Sequence, residues 1–476
     1  MLLAVFSGFL LSTSFAPVGL WWMAPIAIAL LIRSLEDTSL SRRALSLYLF
    51  GLCFFAPLLH WSSTYVGAVP WVILTAGESA FFIPLALLRP VRSWRIFLFP
   101  SAWVAIEAIR SRFPFEGFGW GRLAFGQPDA PYASLAAIGG VPLLSFLVAF
   151  LGVLLYLILA RERMKLILSG VTVVGLLSLS FLAHHPSPGH PFSVVAIQGG
   201  VPQLGFNFNE RATAVFHKHL SVTEKYLAAA VHLPDVIVWP ENSVDVDPFQ
   251  NLVVKAELQN EVDKYNVPII IGAVLDKGAY FQNASILWQP RVGPTSRYIK
   301  RHLTPFGEYI PLRTLAEFIS PYAKNVTGFR PGSAIVLHHV KAAQIAPIIC
   351  YELLDDQLGR DMARKSNLLI VQTNSATFGL SAESAQQLEI TRIRAIEHQR
   401  EVVSVATSGL SAVIDYRGRV LQETQADRSQ TLTQVVSLTG AHSLSDELGV
   451  KMEWTLIFLP LLIWITLSIM RRRRNL

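Results

Sequence analysis

Three side chains with complementary chemistry each follow a short stretch of strand type in the second half of the chain. Cys350 follows Ala-Pro-Ile-Ile, Glu241 follows Val-Ile-Val-Trp-Pro, and Lys300 follows Arg-Tyr-Ile. A continuous apolar run is typical of a strand buried on both faces, and α/β proteins place reactive groups at the carboxyl ends of such strands. The pattern predicts that the three groups meet at one site.

A thiol, a carboxylate and an amine in one site could perform nucleophilic catalysis. A thiol is a weak nucleophile until it loses its proton, so a nearby base such as Glu241 would activate Cys350. Attack on a carbonyl creates an oxyanion, which Lys300 and the backbone N–H of Tyr351 could stabilise. The alternative is a buried core cysteine with two solvated ions at strand ends. Three such groups at three strand ends favour catalysis.

The elements that must position these groups lie between residues 186 and 446, where helix and strand patterns alternate with short turns. This alternation predicts an α/β domain with two sheets covered by helices. The predicted strands are Phe192–Gln198, Asp235–Trp239, Val267–Val274, Ala279–Trp288, Ser296–Lys300, Asn367–Thr373 and those around Val403–Tyr416. The predicted helices are Glu210–Ala229, Pro248–Tyr265, Asp355–Lys365 and Ala382–Glu401.

The composition indicates a membrane protein with a separate globular domain. The chain has 476 residues, of which 52% are hydrophobic and 15% charged, too apolar for an ordinary soluble protein and too long for one domain. The net charge is +7, but the basic residues lie in short loops beside apolar runs, as in 471–474. Such placement is typical of membrane orientation and not of nucleic-acid binding. Cys53 and Cys350 provide neither a disulfide framework nor a zinc site, and we expect no metal and no cofactor.

Eight apolar runs, each near the ~20 residues that cross a bilayer, predict a membrane-spanning helical bundle. A signal peptide is the alternative for the first run, although no basic segment precedes it. Basic residues follow the second, fourth and sixth runs, so the positive-inside rule places those exits in the cytoplasm. Both termini are then cytoplasmic, and the globular domain is extracytoplasmic. The runs are 1–14, 16–33, 44–62, 69–89, 94–110, 139–160, 165–183 and 454–470.

Three ionisable residues, Glu78, Glu107 and Arg110, fall within predicted spans and must therefore face protein or water. Glu107 and Arg110 are three residues apart on one helical face, which predicts an ion pair between them. The loop that follows, 113–121, is rich in aromatic residues and glycine. Aromatic rings favour the membrane interface, so this loop would either shape a lipid entrance or anchor the bundle.

The residues around the three reactive groups resemble known enzymes. Trp-Pro-Glu241, Tyr-Ile-Lys300 and Ile-Cys350-Tyr-Glu resemble the Glu-Lys-Cys motifs of the nitrilase superfamily. Residues 300–311, Lys-Arg-His-Leu-Thr-Pro-Phe-Gly-Glu-Tyr-Ile-Pro, and residues 103–107, Trp-Val-Ala-Ile-Glu, resemble the bacterial apolipoprotein N-acyltransferases. The resemblance extends over nearly the whole chain, including eight spans with one domain between the last two.

The resemblance implies a nitrilase-like α-β-β-α sandwich and a ping-pong acyl transfer in the bacterial cell membrane. Cys350 would take an acyl chain from a phospholipid as a thioester, with Glu241 as general base and Lys300 as stabiliser of the tetrahedral intermediate. The free α-amino group of a diacylglyceryl-cysteine on a lipoprotein would then accept the chain. Supporting or substrate-binding positions match Glu308, Tyr351 and Glu352. The implied domains are seven spans over 1–185, a catalytic domain over 186–450, and an eighth span with a basic cytoplasmic tail over 451–476.

The chain departs from the family pattern in two motifs, and it also has no tryptophan shortly after Gln203, where many members have one and where Phe206 or Phe208 could substitute. Residues 117–120 read Gly-Phe-Gly-Trp in place of the common Gly-Phe-Pro-Trp, and residues 374–379 read Asn-Ser-Ala-Thr-Phe-Gly in place of Asn-Asp-Ala-Trp-Phe-Gly. The second form resembles the actinobacterial branch. A candidate lid is Ile319–Pro331, on composition alone. Two other functions stay open: a membrane-tethered amidase acting on small amides, and a non-catalytic lipid-binding scaffold.

The positive-inside pattern yields a testable topology. A reporter that is active only outside the cytoplasm, fused directly after His190, should be active, because seven spans separate this position from a cytoplasmic N-terminus. The same reporter fused after residue 474 is the control and should be inactive. A cytoplasmic signal from the His190 fusion would contradict the orientation.

Overall fold

The computed structural model describes residues 1–88, 96–160, 163–180, 186–187, 189–201, 213–319, 328–376 and 378–474. The chain divides into two compact units, Met1–His185 with Ser443–Leu476, and Pro186–His442. Parts of the sequence predictions lie outside the described residues: Phe206, Phe208, Thr377, residues 320–327 of the candidate lid, residues 210–212 of one predicted helix, residues 89, 94, 95 and 181–183 of three apolar runs.

The first unit is helical in its described part, and a helix overlaps each of the eight apolar runs. The helices of this unit are α1 Leu2–Ser12, α2 Met23–Ser34, α3 Leu40–Leu58, α4 Ser63–Val66, α5 Ala68–Ala80, α6 Leu98–Arg110, α7 Ala136–Leu159, α8 Arg163–Ser180, α14 Leu444–Leu448 and α15 Val450–Arg474. Gly139 and Gly140 break α7 near its start, since both have non-helical backbone angles.

Three helical stretches of the described residues are long and apolar enough to cross a bilayer: Ala68–Leu87, Ala133–Leu159 and Val450–Met470. The helices α1 and α2 are apolar but shorter. Large apolar side chains stand exposed on α15, where Phe458 is 48% and Leu462 is 59% exposed. Apolar surface of this kind is what lipid covers in a membrane protein. The eight-span arrangement and its orientation stay predictions.

The predicted ion pair between Glu107 and Arg110 is wrong. Nη1 of Arg110 lies 2.8 Å from Oε2 of Glu78, and it also donates to two backbone carbonyls of the loop 113–121. Glu107 instead lies 3.5 Å from Nε of Arg122. All four side chains are buried, and a buried charge needs a partner together with further hydrogen bonds. The partners of Glu107 and Arg110 come from other segments of the chain, so spacing along one helix did not decide the pairing. The bonds from Arg110 to the carbonyls of Phe118 and Trp120 also attach the aromatic loop to α6.

The second unit contains two six-stranded sheets. Its strands are β1 His190–Gln198, β2 Val236–Val238, β3 Ile269–Asp276, β4 Phe281–Gln289, β5 Gly293–Ile299, β6 His338–Val340, β7 Ala343–Ile349, β8 Leu368–Thr373, β9 Val402–Ala406, β10 Ala412–Ile414, β11 Val420–Glu423 and β12 Gln430–Leu438. Its helices are α9 Ala214–Ala229, α10 Leu252–Tyr265, α11 Arg313–Ile319, α12 Asp356–Ala363 and α13 Glu383–His398. The strand orders are β12-β1-β2-β3-β4-β5 and β11-β10-β9-β8-β7-β6.

The first strand shows why the central strands are apolar throughout. In β1, Val195 and Ile197 pack into a core with the helices α9 and α10, whereas Val194 and Ala196 pack into a second core with residues of the other sheet. Alternate side chains of a strand point to opposite faces, so both faces must be apolar. Because α12 and α13 contact the second sheet, the layers are α-β-β-α, and the predicted α/β domain with two sheets is confirmed.

Three strands that complete the sheets, β6, β11 and β12, were not predicted from the sequence, and β11 and β12 show why. The strand β12 pairs antiparallel with β1 along nine residues, from Gln430 to Leu438, and β11 pairs with β10. Both are edge strands in which buried and exposed positions alternate, so their residues include Thr and Gln and lack a continuous apolar run. Pairing between these strands is parallel only within β1-β2-β3 and β7-β8-β9. These groups contain β2 and β7, which precede Glu241 and Cys350, whereas β5, which precedes Lys300, pairs antiparallel with β4.

One glycine permits the close packing behind Glu241. A Cβ on Gly272, in β3, would lie 2.3 Å from the carbonyl oxygen of Pro240 and 2.7 Å from the Cα of Glu241. Both contacts are with backbone atoms, which cannot rotate away. The strand β3 therefore supports the turn that carries Glu241 only because residue 272 has no side chain.

Replacing this glycine should distort the turn. We expect Gly272→Ala to lower the free energy of unfolding by about 1–3 kcal/mol, the usual cost of overpacking, and to reduce activity by displacing Glu241. Gly440→Ala is the control, because no atom lies within 4 Å of its added Cβ, and its effect should stay within about 0.5 kcal/mol. Thermal unfolding of both purified full-length variants measures the difference, and equal unfolding temperatures would contradict the expectation.

Candidate active site

Glu241 stands in a tight turn directly after β2. The next residue, Asn242, has a φ of 53°, a left-handed conformation that reverses the chain in few residues. The turn is held by backbone hydrogen bonds on both sides, from Trp239 N to Ile270 O at 2.8 Å and from Val244 N to Gly272 O at 2.9 Å. Glu241 is 4% exposed, so its carboxylate is fixed and nearly dry.

Lys300 follows β5 and lies between two carboxylates. Its Nζ lies 2.8 Å from Oε2 of Glu308 and 3.4 Å from Oε1 of Glu241, and donates to Oγ1 of Thr304 at 3.4 Å. The backbone N–H of Lys300 donates to the carbonyl of Asn283 at 2.9 Å, which aligns the residue with the adjacent strand. The ammonium group is therefore buried but surrounded by acceptors.

Asn283, in β4, joins the two carboxylates. Its Nδ2 donates to Oε1 of Glu241 at 2.6 Å and to Oε1 of Glu308 at 2.9 Å. The backbone N–H of Thr304 donates to the other oxygen of Glu308 at 2.8 Å. The sequence did not single out Asn283, although a buried amide in an otherwise apolar stretch was the available signal.

These contacts shift the pKa values of the two carboxyl groups in opposite directions. Burial raises the pKa of Glu241, and the nearby charge of Glu308 adds to the rise, which the charge of Lys300 only partly offsets. Burial acts on Glu308 too, but Lys300 and hydrogen bonds from Asn283 hold the pKa of Glu308 below its usual value. Burial opposes the charge of Lys300, yet the charges of Glu308 and Glu241 raise its pKa. The surroundings therefore favour the charged form of Glu308 and disfavour that of Glu241.

Cys350 lies at the turn from β7 into a short 3₁₀ helix, Cys350–Leu354. Its φ is 50°, a left-handed conformation that costs about 1–3 kcal/mol for a residue with a side chain and that is typical of functional turns. The side-chain amide of Gln387, in α13, approaches Sγ to 3.8 Å. Gln387 was not predicted as a site residue, because nothing in a helical pattern marks which face meets the thiol.

Glu352 fixes this turn. Its Oε2 accepts from the N–H of Ile349 at 2.8 Å, and its Oε1 accepts from Tyr298 Oη and from the N–H of Arg301, both at 2.7 Å. Ile349 precedes the thiol, and Arg301 follows Lys300, so one carboxylate joins the two segments. Tyr351 is buried, and its ring lies 5.4 Å from that of His302.

Burial, with a contribution from the neighbouring carboxylates, favours the protonated form of the Cys350 thiol. Burial raises the pKa of Cys350 well above its usual value, the charge of Glu241 raises it further, and Lys300 lowers it. The sulfur therefore lies within electrostatic reach of both other groups. A thiol in this state reacts only when a base takes its proton.

The structure brings the buried residues Glu241, Lys300 and Glu308 together with the half-buried Cys350, and the buried Glu352 joins the segments that carry Lys300 and Cys350. Among the residues that the structure describes, no three His, Cys, Asp or Glu side chains are arranged to hold a metal ion. The chemistry available is a thiol, a base, a buried cation and backbone N–H groups, the components of acyl transfer through a thioester.

Two family models match the chain in separate regions. The apolipoprotein N-acyltransferase N-terminal domain matches residues 7–154, and the carbon-nitrogen hydrolase family matches residues 195–444, the region with the two sheets. The second match identifies the nitrilase-like fold.

Relatives that match nearly the whole chain carry one name. The apolipoprotein N-acyltransferase of Mycolicibacterium smegmatis is 35% identical, over 89% of this chain and 77% of the relative. That of Methylococcus capsulatus is 31% identical, over 88% of this chain and 86% of the relative. That of Photobacterium profundum is 29% identical, over 100% of this chain and 95% of the relative. With the site geometry and both domain matches, this similarity shows that the chain belongs to the apolipoprotein N-acyltransferase family.

Proposed function

We propose that this protein transfers a fatty acyl chain from a phospholipid to the free α-amino group of the diacylglyceryl-cysteine of lipoproteins, through a thioester on Cys350. The observation that carries the proposal is the grouping of the half-buried Cys350 with the buried Glu241 and Lys300, in a chain that matches apolipoprotein N-acyltransferases along most of its length. The activity is that of an acyltransferase, and the roles of individual residues below are our inference.

In the first half-reaction Glu241 takes the proton of Cys350, and the sulfur attacks the ester carbonyl carbon of the phospholipid. The oxyanion that forms is stabilised by Lys300 and by the backbone N–H of Tyr351. When the C–O bond breaks, Glu241 returns its proton to the departing lysophospholipid oxygen. The products are an acyl thioester on Cys350 and a lysophospholipid.

In the second half-reaction a neutral amine attacks the thioester carbonyl carbon. The C–N bond forms, the C–S bond breaks, and Glu241 passes the proton released by nitrogen to the sulfur. Lys300 again faces the oxyanion. Glu308 supports this cycle because its charge keeps Lys300 protonated, and Glu352 supports it because it holds the turn that presents the thiol.

Attachment to the bilayer suits these substrates. Both donor and acceptor are acylated, and each buried CH₂ is worth about 0.8 kcal/mol, so neither leaves the membrane readily. We propose that all eight apolar runs span the cell membrane and that both termini are cytoplasmic. Residues 186–450 then form an extracytoplasmic catalytic domain, bounded by 1–185 and 451–476. The loop charges and the three helices that are long enough to span support this arrangement.

The thioester can be observed directly. After incubation with phospholipid in detergent, the intact mass of the protein should rise by one fatty acyl group, and hydroxylamine should remove it. Cys350→Ala should gain no mass, whereas the control Cys53→Ala should behave like the unsubstituted protein, because Cys53 lies in α3 of the other unit. An unmodified protein that hydrolyses soluble amides would instead identify an amidase.

In a plot of the rate of thioester formation against pH, the rise on the acid side should follow the pKa of Glu241. The carboxylate must be unprotonated to accept the thiol proton, so the rate should rise as pH rises through the pKa of Glu241. Asn283→Leu removes the hydrogen bond that lowers this pKa, so the rise should move to higher pH and the rate at neutral pH should fall about tenfold. Asn260→Leu, at an exposed position of α10, is the control. A rise that stays in place in Asn283→Leu would contradict the role of Glu241.

A further inference from the structure

A second carboxyl group that the mechanism above does not use lies beside the nucleophile. Glu383, in the first turn of α13, is 3% exposed. Gln387 is one helical turn further along, and residues four apart share a helix face. Because Nε2 of Gln387 lies 3.8 Å from Sγ of Cys350, the face of α13 that carries Glu383 is the face that meets the thiol.

One buried carboxyl oxygen at this position, Oε2 of Glu383, has no hydrogen-bond partner among the residues that the structure describes. Ser375, which is 1% exposed, lies beside the same carboxyl group, and its hydroxyl acts on the Glu383 pKa as a hydrogen-bond donor. Buried polar atoms are nearly always paired, so an unpaired carboxyl oxygen on the face that meets the thiol indicates a group that binds there. An acceptor oxygen on Glu383 and a hydroxyl on Ser375 suit a ligand that donates hydrogen bonds.

A glycine at position 409 permits the backbone to pack closely against the side chains at this position. A Cβ on Gly409 would lie 2.3 Å from Oγ of Ser384 and 2.6 Å from Oγ of Ser375. The backbone N–H of Leu410 donates to Oγ of Ser384 at 2.6 Å, which holds this segment against the start of α13. The glycine therefore allows close packing here without filling the space around the serine hydroxyls.

We propose that Glu383 and Ser375 bind the α-amino group of the acceptor, and that Glu383 takes a proton from its ammonium form before the amine attacks the thioester. The inference rests on the proposed function and deepens its second half-reaction. The balance is an ammonium ion and a carboxylate giving a neutral amine and a carboxylic acid. The amine then forms the C–N bond as described, and Glu383 later releases its proton to water.

The environment of Glu383 suits this exchange. Burial raises the pKa of Glu383 to about 8, and the charge of Glu241 contributes, against a lowering by Ser375. An α-amino group has a pKa of ≈ 7.7–8.0, so a proton moves between the two groups at little cost. The other titratable groups that act on this region are Cys350, which the charge of Glu383 affects, and Lys300, which acts on Glu241 and Cys350.

The protonated form of Glu383 also favours the first half-reaction, because a neutral carboxyl group does not raise the pKa of the Cys350 thiol as a carboxylate does. A charged Glu383 raises the pKa of the Cys350 thiol and would oppose thiolate formation. The carboxyl group is mostly protonated at neutral pH, so this opposition is absent until an ammonium group arrives and favours the carboxylate. The same residue is thus neutral in the first half-reaction and a base in the second.

The two half-reactions separate this inference from the proposed function. With phospholipid alone, Glu383→Gln should form the Cys350 thioester as the unsubstituted protein does. Transfer of that chain to a synthetic diacylglyceryl-cysteinyl peptide at pH 7 should fall about 100-fold, within the usual range for loss of a general base. Hydroxylamine, a neutral nucleophile at this pH, should still release the acyl group from the variant at the normal rate.

Raising the pH distinguishes a base from a structural residue. At about pH 9.5 the peptide amine is already neutral in solution, so the defect of Glu383→Gln should shrink to a few fold. Because a raised pKa contributes stability that is lost as pH rises through about 8, the variant should also resist thermal unfolding better than the unsubstituted protein at this pH. Glu389→Gln, on the same helix, is the control and should show no pH-dependent defect.

Three outcomes would overturn the assignment: normal transfer by Glu383→Gln at pH 7, a defect of equal size at pH 7 and about pH 9.5, or loss of hydroxylamine release. If the unsubstituted protein itself forms no thioester on Cys350, the proposed function fails instead. A second variant, Ser375→Ala, keeps the base but loses one partner of the amine, and should raise the peptide KM several-fold with less effect on kcat.

Discussion

A single ammonium group enclosed by two carboxylates is the interaction on which the rest of the catalytic unit depends. Lys300 is almost fully buried, and removing a charge from water costs several kcal/mol unless partners replace the water. Glu308 supplies the opposite charge at 2.8 Å, and Asn283 keeps Glu308 and Glu241 side by side despite their repulsion. If Lys300 were lost, both carboxylates would be left as unpaired buried charges. The arrangement is therefore costly to alter and holds the carboxylate of Glu241 and the ammonium group of Lys300 at a fixed separation.

The two sheets position Glu241, Lys300 and Cys350, because each of these residues follows the end of a strand. Parallel strands buried on both faces bring their carboxyl ends to one edge, where turns in left-handed conformations present Glu241 and Cys350. Strain at Cys350 is tolerated because Glu352 accepts hydrogen bonds from the backbone on both sides of the site. Close contact between the backbone of Gly272 and that of Pro240 and Glu241 likewise fixes the position of the turn at Glu241.

The sequence predicted the elements that obey periodic rules and missed what depends on tertiary contact. Strands such as β1 and β8 were predicted nearly to the residue because both faces are buried, whereas the polar edge strand β12 was not predicted at all. The three reactive groups were found at strand ends, but Asn283 was missed because its importance lies in the two carboxylates it contacts. The wrong pairing of Glu107 has the same origin, since its partner comes from a distant segment.

The carboxylate of Glu352 has one further consequence. It accepts hydrogen bonds from the N–H of Ile349, which precedes Cys350, and from the N–H of Arg301, which follows Lys300. The loop after Lys300 and the turn at Cys350 are therefore linked through one side chain. A displacement of one segment would therefore pull on the other through Glu352. The separation between the sulfur of Cys350 and the ammonium group of Lys300 thus depends on a carboxylate that contacts neither of them.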